Sequence, residues 1–86
     1  MRDLVEQAAA VTSRADFLAF LEALRLDLRH QPGEWENDSL DSFLDGLQGF
    51  ASDMDGYYRN AGEAVDVDVI TWRMAAQMLL AATVYE

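Results

Sequence analysis

The sequence predicts an all-α domain: a small bundle of three main helices plus a short N-terminal helix, with the last helix central. Three observations predict it. Apolar residues recur every three to four positions through residues 17–28, 40–54 and 72–85, the period of a helix face. The last of these segments is apolar nearly all round, as a helix enclosed by others must be. Strand-like alternation occurs at Val65, Val67 and Val69 between Asp66 and Asp68, and a single strand has no partner in this chain. With 86 residues, 51% of them hydrophobic, the chain makes a single domain over 1–86 with one core. A chain of this size buries somewhat over ~60% of its unfolded surface.

Each element follows from local signals. Leu4, Val5, Ala8 and Val11 give a short N-terminal helix, expected to be loosely attached over 1–11. Thr12 and Ser13 interrupt it. Ser13 and Asp16 have capping-box spacing, in which each side chain satisfies a free backbone N–H at the start of a helix. Phe17, Phe20, Leu21, Leu24 and Leu28 then form one stripe; Leu18 and Leu26 lie off it and predict a broad buried face. Arg29 and His30 complement the negative end of the helix dipole. Gln31-Pro32-Gly33 ends the helix, since the residue before proline avoids the α conformation and glycine permits reversal.

The next helix is expected to start near Asp38 or Ser39, with Asp38 able to cap and Asp41 near the positive end of the dipole. Leu40, Phe43, Leu44, Leu47, Ala51 and Met54 form its expected core stripe, opposite Asp41, Asp45 and Ser52. Asp55-Gly56 is its expected exit. Gly46 and Gly49, each costing roughly 1 kcal/mol relative to alanine in a helix interior, call for a close backbone approach or a bend. Residues 57–70 read as a loop, with the alternating valines in an extended connector. The last helix runs from about Ile70 to Tyr85. Trp72, Ala75, Ala76, Leu79 and Thr83 mark one face, and Met74, Met78, Ala81 and Tyr85 mark another. That much apolar surface predicts a homodimer through the last helix, on the Met74, Met78, Ala81 and Tyr85 side.

Charge is the strongest functional signal. Residues 34–68 hold ten acids against one arginine, Arg59, a formal −9 of the chain's −10. Nucleic acid is not an expected partner, because phosphate contacts need clustered Lys and Arg and this chain has no lysine. The same charge opposes an anionic membrane. The longest apolar run, Met78 to Tyr85, is too short for a span of ~20 residues. Met1–Ala10 carries Asp3 and Glu6 and does not read as a signal peptide. The absence of cysteine excludes disulfides, and the expected location is cytoplasmic.

Catalytic equipment is sparse. Without cysteine or lysine, thiol and Schiff-base routes are closed. The one histidine, His30, sits at a helix end, and no nucleophile elbow occurs. Asp53-x-Asp55-Gly56 has the look of a calcium loop, but counting back from a sixth-position Gly56 puts Ala51 at the first ligand. Asp41 and Asp45, one turn apart, read as a solvated face. The expectation is no enzyme, no cofactor and no metal site. What stands out is aromatic residues flanking the acidic block: Trp35 before the second main helix and Tyr57-Tyr58 after it. Trp and Tyr dominate interface hot spots. Trp35, Glu36, Asp38, Asp41, Asp45, Tyr57 and Tyr58 are therefore the candidate partner-binding residues, and a basic protein is the candidate partner.

The series Trp35-Glu36-Asn37, Leu40, Phe43-Leu44, Leu47, Asp53-Met54, Tyr57-Tyr58, Asn60, Trp72, Ala82 and Tyr85-Glu86 resembles a family of small bacterial proteins, the domain of unknown function 7660 family. The likeness runs from about Val11 to Glu86 and departs at Phe50, where the family often has Trp. It implies a mostly helical fold and no particular activity. Glu36-Asn37 with Leu40-Asp41, Phe43-Leu44-Asp45 and Leu47 is also locally similar to the acidic helix of the barstar family of ribonuclease inhibitors, with Asp38 and Ser39 breaking the register. That likeness implies an acidic helix workable as an inhibitor surface. Two functions are thus expected: a non-catalytic protein–protein interaction module or, more narrowly, an immunity or antitoxin-type inhibitor whose acids neutralise a basic nuclease toxin.

Overall fold

The computed structural model describes residues 2–86. Four helices follow in order: α1 (Arg2–Ala9), α2 (Arg14–His30), α3 (Leu40–Asn60) and α4 (Trp72–Ala82), with a 3-10 turn at Pro32–Glu34. No strand occurs among the described residues, and the alternating valines lie in the connector from α3 to α4. Val65 and Val67 are half-buried there against the core. The turn beyond them is held by Asp66, whose side chain accepts the Asp68 amide at 2.9 Å.

Helix ends follow their local chemistry. Ser13 caps α2 by accepting the Asp16 amide at 3.1 Å, but Asp16 reaches one residue further back than a capping box requires. Its carboxylate takes the Thr12 amide and hydroxyl at 3.1 and 3.0 Å, which hold its pKa below the ordinary value. α3 is capped by Ser39 rather than Asp38: Ser39 accepts the Ser42 amide at 3.1 Å and Ser42 accepts the Ser39 amide at 3.3 Å. α3 also runs past Asp55-Gly56 to Asn60. It ends where Gly62 takes a φ of +77°, open to glycine at little cost. The Glu63 amide then closes on the Tyr58 carbonyl at 2.9 Å and the Gly62 amide on Arg59 at 3.1 Å, the Schellman pattern.

α4 is central, in contact with α1, α2 and α3; among the described residues the backbone of α3 comes close to α4 alone, while its Phe43 side chain packs against the core of α1 and α2. One core lies between α1, α2 and α4: Leu4, Ala8, Val11, Phe20 and Leu24 bury against Ala76, Leu80 and the Trp35 side chain. The other lies between α3, the connector and α4: Phe50, Met54, Tyr58 and Met74, flanked by Met78, Ala81 and Tyr85. Three expectations are corrected here. The segment expected over 1–11 forms α1 and plants Leu4, Ala8 and Val11 in the first core, so it is built in rather than loosely laid on; Met1 lies outside the described residues. Leu18 and Leu26 are exposed, so the buried face of α2 is narrow. The Met74, Met78, Ala81 and Tyr85 side of α4, expected to meet a second copy, is occupied by α3 and the connector of the same chain.

The largest correction concerns α3. Its buried line is Gly46, Phe50, Met54 and Tyr58, not the leucine stripe. Leu40 is 75% exposed, Leu44 52%, and Ala51 is exposed too. The cause is close approach. A Cβ on Gly46 would lie 2.6 Å from the Ala82 carbonyl oxygen and 2.6 Å from Asn37 Nδ2, and one on Gly49 would lie 3.2 Å from the Tyr85 ring. The glycines thus admit the end of α4, and the helix rotates to present them.

Candidate interaction surface

The first turns of α3 combine charge and apolar surface. Glu36, Asp38, Asp41 and Asp45 are all exposed, as the sequence implies for a solvated face. Between them stand Leu40 and Leu44, one turn apart and turned away from both cores. The Ser39 cap fixes where this face begins, and the α4 contact at Gly46 on the opposite side fixes its rotation. Sequence periodicity missed these leucines as surface residues because it assigned them to the core. Phe43 and Met54, members of the expected stripe that do pack inward, also lie on a line through Gly46 and Phe50 to Tyr58, and that line was the available signal.

The seven candidate residues do not form one patch. Trp35 is buried: its indole N–H donates to Asp27 at 2.8 Å, and its ring stacks on Phe43 with centroids 6.2 Å apart. Tyr58 is buried as well. Its hydroxyl donates to Gln77 at 2.6 Å, and the Arg73 guanidinium lies 5.8 Å over its ring. Burial, foremost, raises its pKa above the ordinary tyrosine value. Both rings are therefore core members rather than anchors for a partner, because each is large enough to close a cluster and finds an internal bond for its polar atom. Tyr57 is 47% exposed but lies four turns along α3 from Asp41, roughly 24 Å at the helical rise. Glu36, Asp38, Asp41 and Asp45 remain as the charged part of one surface.

Asn37 is the residue whose role the sequence did not reveal. Its side-chain amide donates to the carbonyls of Ala82 at 2.9 Å and Tyr85 at 2.8 Å, and its backbone N–H donates to Thr83 at 2.9 Å. It satisfies the carbonyls that the end of a helix leaves open, and it ties the lead-in of α3 to the end of α4. Among the described residues, no group of three or more His, Cys, Asp or Glu side chains is placed to hold a metal ion. Among the described residues, no helix is long and apolar enough to cross a membrane.

The sequence model of a family of unknown function, DUF7660, matches residues 13–86. The chain belongs to this family. The match takes in α2, α3 and α4 and leaves α1 outside it. Trp35-Glu36-Asn37 and Tyr85-Glu86, both in the DUF7660 resemblance, are far apart in sequence but meet through the Asn37 side chain. No curated protein and no solved structure matches the chain.

Proposed function

We propose that the chain is a non-catalytic protein–protein interaction module of the cytoplasm that docks a basic protein on the first turns of α3. The observation that carries this reading is the exposure of Leu40 and Leu44 between Asp38, Asp41 and Asp45. Acids that served solubility alone would need no leucines beside them. A face with both has the means to steer an oppositely charged partner and then to bury apolar area against it. A basic nuclease toxin is one partner of this chemistry, and finding one would narrow the module to an immunity-type inhibitor.

The test begins with capture from the source cell at low and high salt. Association kinetics follow on the captured partner across an ionic-strength series. Substituting Asp38, Asp41 and Asp45 by Asn keeps the shape and removes three charges. It should slow association and flatten its salt dependence. Leu44→Ala should instead speed dissociation. If the triple variant associates at an unchanged rate with an unchanged salt slope, the acids are only a solvated face and the reading fails.

A further inference from the structure

At the far end of α3, Phe50, Asp53, Asp55, Tyr57, Asn60 and Tyr85 line an open cavity of about 430 Å³. Phe50 is buried, and both tyrosines meet it edge-on. The ring centroids lie 5.2 Å away for Tyr57 and 5.6 Å for Tyr85, at interplanar angles of 65° and 86°. The Tyr85 hydroxyl donates to Asp53, which sets that ring beside the carboxylate. The same bond raises the Tyr85 pKa above the ordinary tyrosine value.

Gly56 also lines the cavity and faces open space. Gly46 and Gly49 each face a close neighbour, whereas a Cβ on Gly56 would meet nothing within 4 Å. A glycine inside a helix is less favourable than alanine there, and no packing contact asks for this one. A larger side chain there would project into the open space beside the cavity.

Aromatic rings beside carboxylates suit a delocalised cation. A guanidinium stacks on a π face and pairs with a carboxylate through its planar fork, which an ammonium does less well. The chain already makes this arrangement within itself. Arg73 lies over the Tyr58 ring while its Nη1 is 2.7 Å from Glu63 Oε1. Beside the cavity, Arg59 meets Asp55 at 3.5 Å with both side chains mostly exposed. Such a surface pair is weak and readily exchanged.

We propose that this cavity receives an arginine side chain of a protein partner, stacked on the Tyr57 and Tyr85 rings and paired with Asp53 and Asp55. It rests on the reading of the chain as a module for a basic protein. It is a separate contact from the Leu40–Asp45 face.

NMR titration of the whole chain with N-acetylarginine amide tests it, with the citrulline amide as the neutral match and the lysine amide as the point-charge match. Saturable shifts should appear at Gly56, Tyr57, Asn60 and Tyr85 with arginine. They should be at least tenfold weaker with citrulline and clearly weaker with lysine. Asp53→Asn should lower the affinity several-fold. Gly56→Leu should abolish the response, with Gly56→Ala as the milder variant if leucine disturbs the fold. The Asp38, Asp41 and Asp45 triple variant should leave it unchanged. Non-saturating shifts, an equal response to citrulline or lysine, shifts as large around Asp38–Asp45 as at the cavity, or indifference to Asp53→Asn and to both Gly56 variants would overturn the assignment. A failed titration with the triple variant still slowing association discards the cavity and keeps the docking face. Arginine binding with association unaffected does the reverse.

Discussion

α4 has two neighbours of different character. Towards α1 and α2 it is joined by interdigitated apolar side chains: Leu4, Ala8, Val11, Phe20 and Leu24 against Ala76 and Leu80. Towards α3 an apolar core of Phe50, Met54, Tyr58 and Met74 is joined by close backbone approach and polar bonds: Gly46 under the Ala82 carbonyl, the Asn37 amide on Ala82 and Tyr85, Tyr58 on Gln77, and Tyr85 on Asp53. The first contact asks for volume and tolerates changes that conserve it. The second asks for position, and a single added methyl group disturbs it. The acids follow the same division. Most of the negative charge falls between residues 34 and 68, on the position-dependent side.

The comparison can be broken first at its apolar side. Phe20 is fully buried, so Phe20→Ala should cost about 3–5 kcal/mol, while the volume-conserving Leu24→Met should cost less than ~1.5 kcal/mol. Urea melts measure both. Similar losses would show that this side also depends on shape.

The α3 side gives the next effect. Gly46→Ala adds one carbon where the Ala82 carbonyl stands at 2.6 Å, and backbone rather than a flexible side chain must yield. A loss of about 1–3 kcal/mol is expected, against the usual helix-interior gain from Gly to Ala. Gly56→Ala, with open space beyond it, should show that gain of up to ~1 kcal/mol instead. Opposite signs in the same helix sharpen the distinction; equal signs would remove it.

Leucines give a third measure. Leu80 is buried in the first core, and its replacement by Ala should cost about 2–5 kcal/mol. Leu44, half-exposed on the acidic face, should cost under ~1 kcal/mol. A Leu44 loss as large as that of Leu80 would place the leucine stripe back in the core and remove the basis of the docking face.

The smallest effect is alkaline. Tyr58 and Tyr85 both have pKa values raised in the folded chain, Tyr58 chiefly by burial and Tyr85 chiefly by its bond to Asp53. A raised folded pKa adds stability that is complete below the unfolded tyrosine value of about 10 and is lost as pH rises through the folded value. Melts from about pH 8 to 11 should show this decline, reduced in Tyr58→Phe. The same slope in the variant would remove Tyr58 as a source.

What the sequence determined by itself was local. Ser13 started α2 and Pro32-Gly33 stopped it, because capping and proline sterics act within a few residues. The nearly uniform apolar character of α4 announced its central place, since no water-facing side was provided for. The charge of the acidic block and the exposure of Asp41 and Asp45 were legible for the same reason. The rotation of α3 was not. Leu40, Phe43, Leu44, Leu47, Ala51 and Met54 make a longer apolar line than Gly46, Phe50, Met54 and Tyr58, and counting favours the first. Tertiary structure chose the other line because α4 can end against α3 only where a Cβ is missing, and because Asn37 must reach the Ala82 and Tyr85 carbonyls. The fates of Trp35 and Tyr58 were decided likewise, by Asp27 and Gln77 waiting in other helices. The partners of Asn37 and Tyr58 lie 19 to 48 positions away, beyond any local window, whereas Asp27 stands eight positions from Trp35 and is brought to it by the turn that ends α2.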